Sequence, residues 1–402
     1  MGDDPFTVRV LTPRDVVSLR RVLASAFLTE LDDGRPERVE HVIEFDRTVG
    51  VFQDDDLVGV SAVLSREITL PGGAVAPTAA LTTAGVRPGY QRKGVLNRLV
   101  STLVDGIDEA FAILWASEGA IYSRFGCGSL ASDLLHLELP HGAPFHAGVD
   151  IGEALVREVS RAEALPVLEE LYDRVRTSRV GWLGRTGRSW EFHLADDDRY
   201  RDGLSAFRFA LHPRGYVVYR VRTAWDARGP KDELHVHELV AETDVAHAAL
   251  YRHLLDLGLG GEVKHYTSAD DPVVHMLADP RSAIRHRNDA LWVRLVHVDR
   301  ALELRHYLSD VDAVVEVLDP LVPRNAGRWH LTVEKGRATV RRTDAAPDAT
   351  ADVAALGSAF LGGTRLTVLA RAGRVREHTP GTVAALSTAF LGDHAPHCPE
   401  LF

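Results

Sequence analysis

At 402 residues the chain has room for two or three domains, and 45% hydrophobic with 26% charged content marks it as an ordinary globular protein. Its net charge of −11, from 57 acidic and 46 basic side chains, argues against non-specific nucleic-acid binding and is compatible with a cationic partner. No apolar run approaches the ~20 residues of a membrane helix, and two cysteines, Cys127 and Cys398, make neither a disulfide framework nor a metal-ligand pair. The acidic start, Met1-Gly2-Asp3-Asp4-Pro5, carries no signal-peptide core, so a cytoplasmic location without membrane attachment is expected.

In chain order, Phe6 to Leu11 reads as a strand. Thr12-Pro13-Arg14-Asp15 then has the cap, the first-turn Pro and the carboxylate of a helix start, and the helix runs to about Phe27. A second helix is expected at Glu37 to Thr48, followed by strands at Val49 to Gln53 and Leu57 to Leu64 around an acidic turn. After Pro71-Gly72-Gly73 a strand at Ala79 to Val86 leads into Pro88-Gly89. Beyond Gly94, apolar residues at Leu96, Leu99, Val100, Leu103, Val104 and Ile107 follow helical spacing.

The turn between that strand and helix is built for an anion. Gln91 to Val95 place successive amides at a helix N-terminus, where the macrodipole adds about half a positive charge. Arg92 and Lys93 add two full charges, and Gly94 lets the backbone approach a ligand. Such a nest suits a phosphate or pyrophosphate, although neither the dinucleotide fingerprint nor a phosphate loop is present. Next come a strand at Phe111 to Ala116, a short helix that Ser117 can cap, with Tyr122 on it and Gly126 and Gly128 ending it, and a closing strand at Leu134 to Leu139.

A second unit opens in the same way. It has a strand at Ala154 to Val159, a helix capped by Ser160 with Glu163, and strands at Ala206 to Leu211, Tyr216 to Val221 and Glu233 to Val240. Where the nest should follow stands Ala241-Glu242-Thr243-Asp244, acidic and without Gly, so this copy has lost its anion site. His235 and His237 share one strand face, but no third ligand is evident. From about Leu295 a third, α+β part begins. It has a hairpin turned by Glu334-Lys335-Gly336, and two helices echo each other in Ala-Phe-Leu-Gly, at 359–362 and 389–392, each Gly reading as a C-cap.

Gln91-Arg92-Lys93-Gly94 resembles the Gln/Arg-x-x-Gly-x-Gly/Ala turn of the GNAT acetyltransferases, with Leu96 at the last position. The segment Ala116-Ser117-Glu118-Gly119-Ala120-Ile121-Tyr122-Ser123-Arg124-Phe125-Gly126 resembles a signature of the Eis-type (enhanced intracellular survival) GNAT N-acetyltransferases, in which a Leu at that position is usual. The resemblance covers the whole chain. It implies α/β and α+β architecture: a catalytic GNAT domain over 1–140, a degenerate GNAT domain over 141–294, and a sterol-carrier-protein-like domain over 295–402.

The resemblance further implies acetyl-CoA as cosubstrate, no metal, and a hexamer. Val86, Gln91, Arg92, Lys93, Gly94 and Ser117 would hold the cofactor, with Gln91 standing where close relatives have Arg. Tyr122 would give a proton to the leaving thiolate, since a tyrosine stays protonated at pH 7. Phe402, the last residue, would bring its carboxylate to the first domain as base. Against an ammonium of pKa near 10 an α-carboxylate is a weak base, so it could instead hold the ammonium or orient a water. The expected acceptors are primary amines of cationic polyamines such as aminoglycosides. Protein lysines are an alternative acceptor, and hydrophobe binding by the third domain is an alternative function. Glu30, Asp32 and Asp33, after the first helix, are weaker candidates for the acceptor channel, and Cys127 reads as a small buried residue.

Overall fold

The computed structural model describes residues 5–30, 42–227, 229–258 and 261–402. The chain forms two mixed α/β sheets and a smaller α+β sheet. The first sheet uses β1 (Phe6–Val10), β2 (Thr48–Gln53), β3 (Asp56–Thr69), β4 (Val75–Val86) and β5 (Phe111–Trp115) in that order. Helix α1 (Val16–Phe27) follows a 3-10 turn in which the Asp15 carboxylate accepts hydrogen bonds from the Thr12 amide and hydroxyl at 2.8 and 2.9 Å. The helix expected at Glu37 to Thr48 falls partly outside the described residues. What is described there holds a 3-10 turn, Phe45–Arg47, and then β2.

Helix α2 (Val95–Gly106) buries Val95, Leu99, Val100, Leu103 and Val104 on one stripe against this sheet. Alternation along the strands builds two cores from one sheet. In β5, Ala112 and Leu114 face α2, while Phe111 and Ile113 face a core shared with the third unit, where Phe111 and Phe360 have ring centroids 4.8 Å apart.

Two strands are exchanged relative to the sequence order. The strand expected to close the first unit, β6 (Asp133–Pro140), lies in the second sheet, antiparallel to Gly261–Thr267. In its place the first sheet takes Leu291–Leu295, antiparallel to β5. The exchange is held by packing. Leu291, Val293 and Leu295 feed the core shared with the third unit, and Trp292 points to the α2 side. Gly128, expected only to end a helix, has a second duty. A Cβ there would lie 2.1 Å from the Ser358 amide, so only Gly lets the buried helix Val353–Phe360 pack against this loop.

The second sheet is seven-stranded, running from Ile284–Asp289 through β6 to Arg157–Val159. The helix Arg161–Arg176 has the predicted Ser160/Glu163 capping box. The third sheet has five strands, with the predicted hairpin between Gly327–Glu334 and Arg337–Arg342. Arg305, wholly buried, donates to the Phe360 and Phe390 carbonyls and so ties together the ends of the two echoing helices. Burial pulls its pKa down to about 10. Gly362 has the left-handed φ of 90° expected of a C-cap, whereas Gly392 does not adopt that conformation and lies against Gly362 instead.

One buried ion pair pins the exchanged strand to the third unit. Arg294 Nη2 lies 2.8 and 2.9 Å from the two Asp319 carboxylate oxygens, and both side chains are fully buried. Asp319 also accepts from the Leu321 and Val322 amides and from Asn325 Nδ2. Asp319→Ala leaves the guanidinium unpaired in the core. It should cost about 3–5 kcal/mol and lower the thermal unfolding midpoint, whereas Asp312→Ala, at an exposed pair with His330, should leave the midpoint in place.

Candidate active site

The basic turn connects a short 3-10 turn, Pro88–Tyr90, to α2. Arg92 has φ of 61° and Gly94, the N-cap, has φ of 83°, so the backbone reverses twice before the helix begins. A left-handed N-cap suits Gly, and it brings no side chain to cap the helix. The first-turn amides therefore keep no intrahelical acceptor and face outward. Val86, Gln91, Arg92, Gly94, Ser117 and Tyr122 all line one cleft of about 700 Å³, a size typical of ligand sites. Lys93 is placed differently: its ammonium stands 5.2 Å from the Tyr90 ring centre and the residue is exposed, outside the cleft lining.

The cleft exists because the sheet opens at a bulge. Strands β3 and β4 pair Ala62 with Thr82 and Val60 with Gly85, so Thr83 and Ala84 together oppose Ser61. Thr83 takes φ of 52°, unusual for a β-branched residue. On its other side β4 pairs with β5 only over Ala79 to Leu81. Past that point the edge of β4 is unpaired by β5, and its backbone is available to an extended ligand.

Tyr122 stands at the junction of this cleft with a smaller one of about 180 Å³, which Thr82, Trp115, Ser117 and Phe402 also line. Its ring packs edge-on to Trp292 of the exchanged strand, with centroids 6.5 Å apart. Burial, aided by Cys127 and Glu118, holds the phenol above its ordinary pKa, so it is neutral throughout the physiological range. Ser117 does not cap the short helix α3 (Gly119–Tyr122), whose N-cap is Glu118. Its side chain lies at the wall common to both clefts.

Phe402 reaches the first unit. Its oxygen accepts a hydrogen bond of 2.9 Å from the Thr82 hydroxyl, and the Glu400 carbonyl accepts one of 3.1 Å from Trp115 Nε1. Thr82, Thr83, Trp115, Trp292 and Glu400 did not stand out in the sequence. Only the Thr82-Thr83-Ala84-Gly85 run, awkward inside a strand, hints at the bulge. Glu30 is exposed, and Asp32 and Asp33 lie outside the described residues.

The remaining candidates have structural surroundings. Cys127 is buried and its thiol is pushed up to about 12 by burial, which leaves no thiolate at neutral pH. His237 is half-buried, and desolvation together with His193 pulls it down to about 3, while His235 binds Glu233 at 2.8 Å. In the second unit the acidic turn ends at Thr243, whose hydroxyl caps the helix Asp244–Asp256, and Glu242 is held by Arg174 and Arg214 at 2.5 Å each.

Comparison with known proteins agrees with this geometry. An Acetyltransferase (GNAT) domain model matches residues 7–130, a second model of that description matches 181–298, and a Sterol carrier protein domain model matches 298–399. The chain is 35% identical to an N-acetyltransferase of Streptomyces avermitilis over 98% of this chain and 99% of that one. It is equally identical to N-acetyltransferase Eis of Mycobacterium tuberculosis, over 86% and 85%. The crystal structure of Eis1 from Mycobacterium abscessus superimposes with a TM-score of 0.86 at 31% identity, covering 98% of this chain and all of that one. With two GNAT folds followed by a sterol-carrier domain, the chain belongs to the Eis-type N-acetyltransferases.

Proposed function

We propose that the enzyme moves an acetyl group from acetyl-CoA to primary amines of cationic polyamines, such as aminoglycosides. The observation that carries this reading is that Tyr122 and Phe402 line one small pocket opening on the large cleft. A proton donor and an anionic group thus flank the place where cofactor and amine would meet.

Bound acetyl-CoA supplies the thioester. The amides around Gly94, with Gln91 and Arg92, hold its pyrophosphate, and the unpaired edge of β4 near Val86 pairs with its pantetheine arm. Lys93 adds long-range attraction from outside the cleft. As the new C–N bond forms and the C–S bond breaks, Tyr122 would give its proton to the departing thiolate. The proton lost by the acylated nitrogen would pass by way of the Phe402 carboxylate and water to the tyrosinate, which restores Tyr122. The α-carboxylate of Phe402, ionised at neutral pH, draws the ammonium in beside Thr82 and orients the amine once it is neutral. A protein lysine offers the same chemistry, but the net charge of −11 favours a multiply cationic small acceptor. A hydrophobe-binding function finds little room in the third unit. Its apolar cavity, lined by Trp329, Leu386 and Phe390, is about 20 Å³, room for about one water and far below the ~300 Å³ or more of small-molecule sites.

At pH 8, thiol release from acetyl-CoA should depend on added aminoglycoside or linear polyamine. A rate that none of them changes would remove the reading. Arg92→Ala should raise the KM for acetyl-CoA about tenfold or more, since a charge-assisted hydrogen bond contributes about 1.5–3 kcal/mol. Lys93→Ala should change it far less, and equal effects would mean that the turn acts through bulk charge alone. Extending the chain by a few residues beyond Phe402 converts its carboxylate to an amide. The kcat should fall by about 10²–10⁴-fold with the KM for acetyl-CoA retained, and unchanged turnover would take Phe402 out of the mechanism.

A further inference from the structure

The last ten residues are not a loose tail. Ala395 N donates to Asp270 Oδ2 at 2.9 Å and His397 N donates to the Val180 carbonyl at 2.9 Å, both partners belonging to the second unit. Ala395, His397 and Pro399 line a cavity of about 80 Å³ with His237, Glu238 and His265. That cavity lies where the second sheet opens. Asp232–Ala241 pairs in parallel with Gly261–Thr267 only as far as Val236, and its register with Gly215–Arg222 breaks between Val236 and Glu238. The first unit leaves the corresponding gap as a cleft. The second unit fills it with the chain's own C-terminal segment.

At the far side of that gap sits a charge clamp. Glu400 is buried and its carboxylate is bound by Arg66 of the first unit and by Arg185 Nε of the second at 2.5 Å. Arg185 is organised by its own unit. Its other two nitrogens bind both oxygens of Glu238 at 3.1 and 2.5 Å, and its guanidinium lies 3.8 Å from the Tyr172 ring centre and 4.5 Å from that of Trp190. Glu238 accepts in turn from the Tyr216 hydroxyl at 2.7 Å, and His193 Nε2 stands 3.2 Å from it. Two Glu and two Arg balance in charge, as a buried cluster requires. Burial pushes the Glu400 carboxyl up, but Arg185 and Arg66 outweigh it and keep it ionised.

Leu401, the residue between Glu400 and Phe402, is 67% exposed. The place of the Phe402 carboxylate is therefore set by the side-chain clamp on Glu400, two residues or about 7 Å of chain away, by the Trp115 bond to the Glu400 carbonyl, and by the Thr82 hydroxyl. We propose that Glu400, gripped by Arg185 of the second unit, which Glu238 orients, is a positioning residue for catalysis in the first. The degenerate unit thus serves as the socket that aims the terminal carboxylate. This rests on the reading of Phe402 given above.

The test separates positioning from stability and from the role of Phe402 itself. Native wild type, Glu400→Ala and Arg185→Lys are treated with a carboxypeptidase selective for aromatic C-terminal residues and followed by mass spectrometry. In parallel, kcat, the KM for acetyl-CoA and the thermal midpoint are measured. Wild type should keep Phe402, and Glu400→Ala should lose it rapidly. Its kcat should fall about 10²-fold, the size of effect a displacement near 1 Å produces, while the KM for acetyl-CoA stays at the wild-type value, because cofactor binding is left intact. Arg185→Lys, which keeps the charge but not the two-pronged grip, should fall between the two. A changed midpoint with kcat and protection intact would show a purely structural network and overturn the proposal. So would protection lost with kcat intact, or kcat lost with Phe402 still protected. If the C-terminally extended chain turns over normally while Glu400→Ala releases Phe402, the clamp is real but aims nothing, and the catalytic link is overturned.

Discussion

The molecule depends on one strand standing in a sheet that its position in the sequence does not suggest. Leu291–Leu295 completes the first sheet beside β5 although some 150 residues of second unit precede it. Its alternation serves three partners at once. Leu291, Val293 and Leu295 build the core shared with the third unit, Trp292 supports the Tyr122 ring, and Arg294 binds Asp319. Because β6 goes the other way into the second sheet, neither sheet is complete without chain from beyond its own unit. Pulling the units apart would break three rows of ladder hydrogen bonds and open a continuous apolar core. The relative placement of the units is thus set by covalent order and burial together, which is what a site assembled from residues 82, 122 and 402 demands.

Such a site also has to overcome chain entropy. Ordering one backbone residue costs about 1–2 kcal/mol, so a ten-residue tail left in water would seldom visit a single pocket. Here that entropy is lost on folding rather than on binding. The tail leaves the third unit past the paired helix ends that Arg305 holds, runs buried from Pro396 to Cys398, and meets Trp115 and Thr82 at its end. A carboxylate delivered in this way is ready before the acceptor arrives, and a prepaid position of that kind accounts for a large part of many rate enhancements.

How much of this was legible in the sequence follows from the range of each interaction. Local signals read well: the basic turn at 91–94, the Ser160/Glu163 box and the hairpin at Lys335-Gly336 are decided by residues within a few positions of each other. The site's two ends, Tyr122 and Phe402, came from family resemblance, because nothing local to a tyrosine on a four-residue helix or to a terminal Phe marks either as functional. The exchange of β6 and Leu291–Leu295 was out of reach. Both segments alternate as strands should, and periodicity fixes which face of a strand is buried but not which sheet it joins. The Arg66–Glu400–Arg185–Glu238 cluster was equally hidden, since its members are spread over more than 330 positions. Ser117 misled for a different reason. A serine just before a short helix is a good cap by propensity, yet the helix starts one residue later and leaves that hydroxyl at the cleft.

The two α/β units show what it takes to keep or lose an anion site at a helix N-terminus. Both helices follow a strand that diverges from its neighbour, so both inherit the same macrodipole and the same orphan amides. In the first unit Gly94 supplies no capping side chain, which leaves those donors open at some expense in stability. In the second unit Thr243 Oγ1 accepts from Ala246 N at 3.2 Å, Asp244 adds a carboxylate to the first turn, and Glu242 engages Arg174 and Arg214. Each change is the ordinary way to stabilise a helix start, worth about 0.5–2 kcal/mol for the cap alone, and each removes a reason for a phosphate to bind. In the second unit the opening of the sheet is occupied by the C-terminal segment, so the same divergence of strands that makes a cleft in the first unit makes a docking place for the chain's own end in the second.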